Sequence, residues 1–137
     1  MIGIIVVSHA KLAMEFLETV RLIMGEQKDF IGISFSSKES IETLRSKIFS
    51  AIEPYRASGC LLLTDVLGGS CTNVCTELLS IGTIRILTGV NLPMILEAIQ
   101  HRENLELETL SQKVRAGAIR GILDLKEFYE EKQKRKT

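Results

Sequence analysis

Ile2-Gly3-Ile4-Ile5-Val6-Val7-Ser8-His9 is the stretch that decides the fold. From Ile2 to Val7 the run is apolar apart from Gly3, rich in β-branched residues and without polar alternation. A strand with no polar face must be covered on both sides, and parallel sheets between helices are built that way. The run stops at Ser8-His9, so its C-terminal end delivers a reactive side chain. A second apolar run, Cys60 to Leu63, ends in Thr64-Asp65, and Gly68-Gly69-Ser70 follows. Open α/β sheets bind ligands at the carboxyl edge of their strands, where the strand order reverses. An imidazole and a carboxylate at that edge, beside a glycine-rich turn, point to phosphate chemistry.

Outward from these two runs, strand and helix patterns alternate. Leu12, Phe16, Val20 and Ile23 recur at helical spacing before Gly25, a natural stop. Phe30 to Phe35 reads as a second strand. Ser36 and Glu39 have capping-box spacing, followed by the stripe Ile41, Leu44, Ile48 and Ile52, with Pro54 closing the helix. Val74, Leu78 and Leu79 mark a helix starting near Thr72, with Ser70 or Thr72 as its cap. Thr83 to Thr88 gives a fourth strand. Asn91 and Pro93 open another helix, and Leu107, Leu110, Val114 and Ala118 form one more, broken by Gly121. Ile122 to Leu125 is left as a short edge strand. Such alternation predicts a single, doubly wound, mainly parallel sheet with right-handed crossovers and helices on both faces. In the strand order 2-1-3-4 the first and third strands are neighbours, and His9 and Asp65 flank one crevice.

The 137 residues suit one domain, and a domain near this size buries roughly two-thirds of its unfolded surface. Residues 1–125 form that domain; residues 126–137 are a charged tail ending in Lys132-Gln133-Lys134-Arg135-Lys136. Lys+Arg and Asp+Glu balance at 17 each, which gives no electrostatic support for nucleic-acid or membrane binding. The three cysteines, Cys60, Cys71 and Cys75, form no even framework and no C-x-x-C pair. Cys71 and Cys75 are one helical turn apart, without a nearby histidine in sequence to complete a zinc site. Reduced thiols, no metal, no cofactor and a cytoplasmic setting are expected. The opening apolar run is far too short to span a membrane.

His9 and Asp65 explain each other. A carboxylate accepting from Nδ1–H fixes the tautomer, leaves the Nε2 lone pair free to attack, and stabilises charge developing on the ring. Gly68-Gly69-Ser70 reads either as backbone N–H groups aimed at an anion or as a tight turn with a cap, and the two are compatible. No G-x-x-x-x-G-K-[ST] and no G-x-G-x-x-G after the first strand is present. Ser8, Leu67 and Asn91 are the candidate walls of the crevice, and His101 is a solvated residue at a helix end.

Three motifs in order carry a resemblance: Val7-Ser8-His9-Ala10 with Leu12-Ala13, then Asp65-Val66-Leu67-Gly68-Gly69-Ser70 with Asn73, then Gly89-Val90-Asn91-Leu92-Pro93-Met94. Together they resemble the mannose-class enzyme IIA domain of the bacterial phosphoenolpyruvate-dependent sugar phosphotransferase system, over about residues 1–125. The resemblance implies that His9 Nε2 accepts a phosphoryl group from phospho-HPr and passes it to an enzyme IIB. It implies Asp65 as the partner of His9, and Ser70 with its neighbouring backbone as phosphate contacts. It also implies a homodimer in which a C-terminal strand, here Ile122 to Leu125, packs on the partner subunit. Membrane association would be indirect, through the transporter, and the IIB partner a separate chain. Two positions depart from the pattern: Cys71 stands where the family commonly has Pro, and Leu67 where it often has an aromatic. A regulatory phosphocarrier without sugar flux is the alternative of another class, and the phosphoryl-donor subunit of dihydroxyacetone kinase is an alternative within the fold.

Overall fold

The structure is a computed structural model and describes residues 1–136. Four strands form one parallel sheet in the order β2-β1-β3-β4: β1 Gly3–His9, β2 Phe30–Phe35, β3 Cys60–Thr64 and β4 Ile84–Leu87. The helices are α1 Leu12–Met24, α2 Ile41–Ile52, α3 Ser70–Cys75, α4 Leu92–His101, α5 Leu107–Arg120 and α6 Leu125–Lys136.

The unbroken apolar character of β1 has the expected cause. Ile4 and Val6 point into one core with Leu61 and Leu63 of β3, Ala13 and Val20 of α1, and the inner faces of α4 and α5. Ile5 and Val7 point into the other, with Leu62, the α2 stripe Leu44, Ile48 and Ile52, and Cys71, Val74 and Cys75 of α3. Each side chain of β1 from Ile4 to Val7 has no exposure at all. The central strands therefore bury both faces, and burial of each such residue contributes roughly 1.5–3 kcal/mol.

Arg102 closes the amino end of the sheet. Its buried guanidinium donates to the carbonyls of Ile2, at 3.4 Å, and Asp29, at 2.8 Å, and also to that of Lys28. One planar donor fork thus ties together three carbonyls at the amino ends of β1 and β2, of which Asp29 O also accepts from Ile4 N–H at 3.0 Å.

Local details correct the sequence reading. Ser36 and Glu39 do bond, Ser36 N–H to Glu39 Oε1 at 3.2 Å, but they shape a turn. Ser40 is the cap of α2, its Oγ accepting from Thr43 N–H. Pro54 lies within a short 3-10 turn, Glu53–Tyr55, that extends the helix rather than closing it. Helix α3 begins at Ser70, with Gly69 as its cap residue. The edge strand expected at Ile122–Leu125 does not form: Ile122–Asp124 joins no ladder, and Leu125 is the first residue of α6. Ile122, Leu123 and Leu125 stay more than half exposed, so nothing among the described residues covers the apolar surface that an edge strand would have paired. The charged segment that follows is helical and buries no residue.

Candidate functional site

Register brings the two reactive groups together. β1 and β3 run parallel with Val7 opposite Thr64, so the residues just beyond, Ser8-His9 and Asp65, emerge side by side on the carboxyl edge. Ala10 takes a left-handed conformation (φ 52°), and its N–H bonds to Phe35 O at 2.9 Å. That tight turn starts the chain toward α1 and leaves the His9 side chain 44% exposed on the rim.

Asp65 Oδ2 accepts twice from His9: from the backbone N–H at 2.8 Å and from ring Nδ1 at 2.7 Å. Its Oδ1 accepts from Val66 N–H at 2.9 Å. Burial pushes the Asp65 carboxyl up, but the donors of His9 backbone, His9 ring and Val66 outweigh it and hold the group below its ordinary 3.8. An ionised carboxylate only accepts, so Nδ1 carries the proton and Nε2 the lone pair. The pair thus holds one tautomer and one ring orientation, with the lone pair on the open side.

The turn after Asp65 is built to let the ring stand there. Gly68 is left-handed (φ 85°), a conformation that favours glycine. A Cβ on Gly69 would lie 2.8 Å from His9 Cε1 and 3.6 Å from Nε2, so backbone approaches the ring where a side chain would collide. Thr72 Oγ1 bonds Thr64 Oγ1 at 2.7 Å and Val66 O at 2.6 Å, tying α3 to the end of β3. No side chain among the described residues caps the first turn of α3.

The proposed walls divide. Leu67 is on the turn and 82% exposed, a free apolar surface beside the site. Ser8 is fully buried, its Oγ accepting from Ala13 N–H at 2.7 Å, so it starts α1 and lines no opening. Asn91 caps α4 through Met94 N–H and donates to Ala118 O at 3.1 Å, so its polar atoms serve the scaffold. His101 lies at the end of α4, 3.4 Å from Glu97.

Other neighbours of His9 were not expected at the site from the sequence. Phe35 stands edge-on to the His9 ring, with centroids 6.1 Å apart. Its signal was available, since β2 ends on the same edge and pairs Phe35 with His9. A cleft of about 650 Å³ opens beside His9, lined by Lys11, Phe35, Ser36 and Ser37. Cys71, buried, brings Sγ to 4.0 Å from His9 Nδ1.

The sequence matches the family described as PTS system fructose IIA component, EIIA-man, over residues 3–115. The chain belongs to the mannose-class enzyme IIA family. It is 38% identical over 108 residues to the sorbose-specific EIIA component of Lacticaseibacillus casei, covering 78% of each chain. It is 30% identical over 118 residues to the fructose-specific EIIA component of Bacillus subtilis (strain 168), covering 85% of this chain and 81% of the relative. Among solved structures, a phosphotransferase system component EIIA from Streptococcus agalactiae is 32% identical, with a TM-score of 0.87 over 93% of this chain and 99% of that one. The mannose/sorbose-specific IIA subunit from Enterococcus faecalis, 22% identical, shares the fold with a TM-score of 0.81 over 90% of this chain and 93% of that one. This enzyme IIA is thus a phosphoryl-carrier component of a sugar phosphotransferase system. No helix among its described residues is long and apolar enough to cross a membrane.

Proposed function

We propose that this enzyme IIA carries the phosphoryl group on His9 Nε2, taking it from phospho-HPr and handing it to an enzyme IIB in the cytoplasm. The observation that supports this most is the Asp65–His9 pair, which occupies Nδ1 at 2.7 Å on a ring 44% exposed and leaves Nε2 without a hydrogen-bond partner among the described residues.

Nε2 attacks phosphorus in line. The N–P bond to the donor's imidazole breaks, and the donor nitrogen keeps that electron pair. Nδ1–H stays bonded to Asp65, whose charge offsets the positive charge arising on the ring. The forward step to IIB repeats this with His9 as leaving group. Phosphoryl transfer passes through a loose transition state, so the protein's task is placement and oriented dipoles. Adding nearly two negative charges beside Asp65 requires donors. In this reading the first-turn N–H groups of α3, with Gly68, Gly69 and Ser70, supply them, the Ser70 side chain turning to the phosphate from a neighbouring cleft that it lines with Arg45 and Asn73. Leu67 and Val66, both more than half exposed, together with the cleft floored by Phe35, offer apolar surface for the two protein partners. A second copy of the chain covers Ile122, Leu123 and Leu125 in the homodimer we infer.

The test is relay of labelled phosphate from phosphoenolpyruvate through enzyme I and HPr. Wild type gains one acid-labile phosphoryl group, and His9→Ala gains none. Labelling of His9→Ala at the wild-type rate removes the assignment.

A further inference from the structure

We propose that Cys71, His9 and Asp65 form a binding site for a zinc-class divalent cation, and that the bound ion switches off the phosphoryl acceptor. His9 Nδ1, an Asp65 oxygen and Cys71 Sγ all lie within 4.8 Å of one another. The three come from β1, the turn after β3 and helix α3, so the sequence separates what the fold gathers. Nδ1 and Oδ2 are 2.7 Å apart, and Sγ and Nδ1 4.0 Å. Tetrahedral zinc with ordinary bond lengths spaces N, O and S ligands about 3.3–3.6 Å apart. Moving Nδ1 and Oδ2 apart, and Sγ and Nδ1 together, by about half an ångström each gives those two pairs tetrahedral spacing, with Sγ and the carboxylate within 4.8 Å of one another. The imidazole, thiolate and carboxylate donors match zinc and not magnesium or calcium, which take oxygen.

The surroundings hold the donors as metal ligands are usually held. Val66 N–H bonds the second oxygen of Asp65, and Phe35 stands against the ring of His9. Thr72, next to Cys71, anchors α3 to β3. Such outer contacts orient ligands and strengthen binding. Of the three donors, His9 is 44% exposed at the rim and Cys71 is fully buried, so the ion would be held between rim and core.

Atoms and charges balance without a redox step. The thiol of Cys71 loses its proton to solvent and the sulfur donates to the metal. The Nδ1 proton of His9 is displaced, and the neutral ring carries it on Nε2 instead. Two anionic ligands neutralise the dication. The lone pair that attacks phosphorus is then protonated, and Asp65 is bound to metal instead of the ring. Metal binding stands on the donor cluster alone; its effect on transfer rests on His9 being the phosphoryl acceptor.

The experiment uses the full chain, reduced and metal-free. Cobalt(II), a spectroscopic substitute for zinc, is expected to bind once per chain with a thiolate-to-cobalt charge-transfer band, displaced by zinc and untouched by magnesium. Cys71→Ser and His9→Gln lose the band and weaken zinc binding by at least the roughly 10–100-fold seen when outer contacts are lost. Cys60→Ala, at the far end of β3, keeps both. Circular dichroism confirms that each variant is folded. Absence of the band, or zinc affinity unchanged in Cys71→Ser, overturns the site, as does binding that vanishes in His101→Gln instead. In the relay assay, zinc suppresses labelling of wild type and loses that effect in Cys71→Ser, each protein compared with itself without metal. Labelling of zinc-saturated wild type at the metal-free rate overturns the switch. A wild type that binds zinc yet takes no label without metal retains the site and removes the carrier role.

Discussion

Replacing Asp65 by Asn keeps the shape of the side chain and inverts part of its hydrogen bonding. In the native protein three N–H groups converge on the carboxylate: His9 backbone, His9 Nδ1 and Val66 backbone. An amide has one accepting atom. If its oxygen faces His9, its NH₂ meets Val66 N–H. If its NH₂ faces His9, it meets the His9 backbone N–H and forces Nδ1 to accept, which moves the ring proton to Nε2. Either way one donor faces a donor, and the charge that offsets the cationic ring is gone. Hydrogen bonds to charged groups contribute about 1.5–3 kcal/mol each. Losing the charge-assisted ring bond and part of the nucleophilic tautomer should raise the transfer barrier by about 3–5 kcal/mol, or roughly 10²–10⁴ in rate. The comparable change in a serine-protease triad costs about 10⁴. Two readouts test the reasoning together: the rate of labelling by phospho-HPr, and ¹⁵N shifts of the His9 ring, which report the tautomer directly. The ring shifts tell which amide orientation is adopted; a rate within threefold of wild type, whichever tautomer the ring holds, would refute the account.

Three further outcomes follow from the same geometry. Because the folded Asp65 carboxyl is held below 3.8, its contribution to stability is complete above that value and is lost as pH falls through the folded pKa. The gap in urea-unfolding free energy between wild type and Asp65→Asn should accordingly shrink from pH 7 to pH 2. Gly69→Ala places a methyl 2.8 Å from His9 Cε1 in a backbone conformation that alanine tolerates. Displacing the ring by a fraction of an ångström should slow transfer by up to about 10²-fold, with a melting temperature close to wild type. Arg102→Met removes the donors to Ile2, Lys28 and Asp29 carbonyls. That should cost about 3 kcal/mol and lower the melting temperature by roughly 10 °C, while the His9 ring shifts stay put, because Arg102 sits at the opposite end of the sheet.

Much of the fold was legible because its signals are local. The apolar runs at Ile4–Val7 and Leu61–Leu63 can be satisfied only by covering both faces, and the helical stripes supply the cover. Gly25 and Asn91 announced helix ends through their own backbone or side-chain preferences. Other positions misled for equally local reasons. Ser36 and Glu39 have the spacing of a cap and make one of its bonds, yet Ser40 competes four residues on and wins the helix. Ile122 to Leu125 reads as a strand by composition, but a strand forms only by pairing, and this segment joins neither of the sheet's free edges, β2 or β4.

The sequence by itself determined the parallel sheet, the order of its elements and the two groups delivered at its carboxyl edge, since hydrophobic periodicity and strand ends are properties of neighbouring residues. Only tertiary structure decided which atoms meet. Register set Asp65 Oδ2 on Nδ1 rather than Nε2, turned Ser8 and Asn91 into scaffold, and drew Cys71 into contact with a histidine 62 positions away. Those outcomes depend on the offset between parallel strands and the seat of a short helix, and no residue carries that information alone.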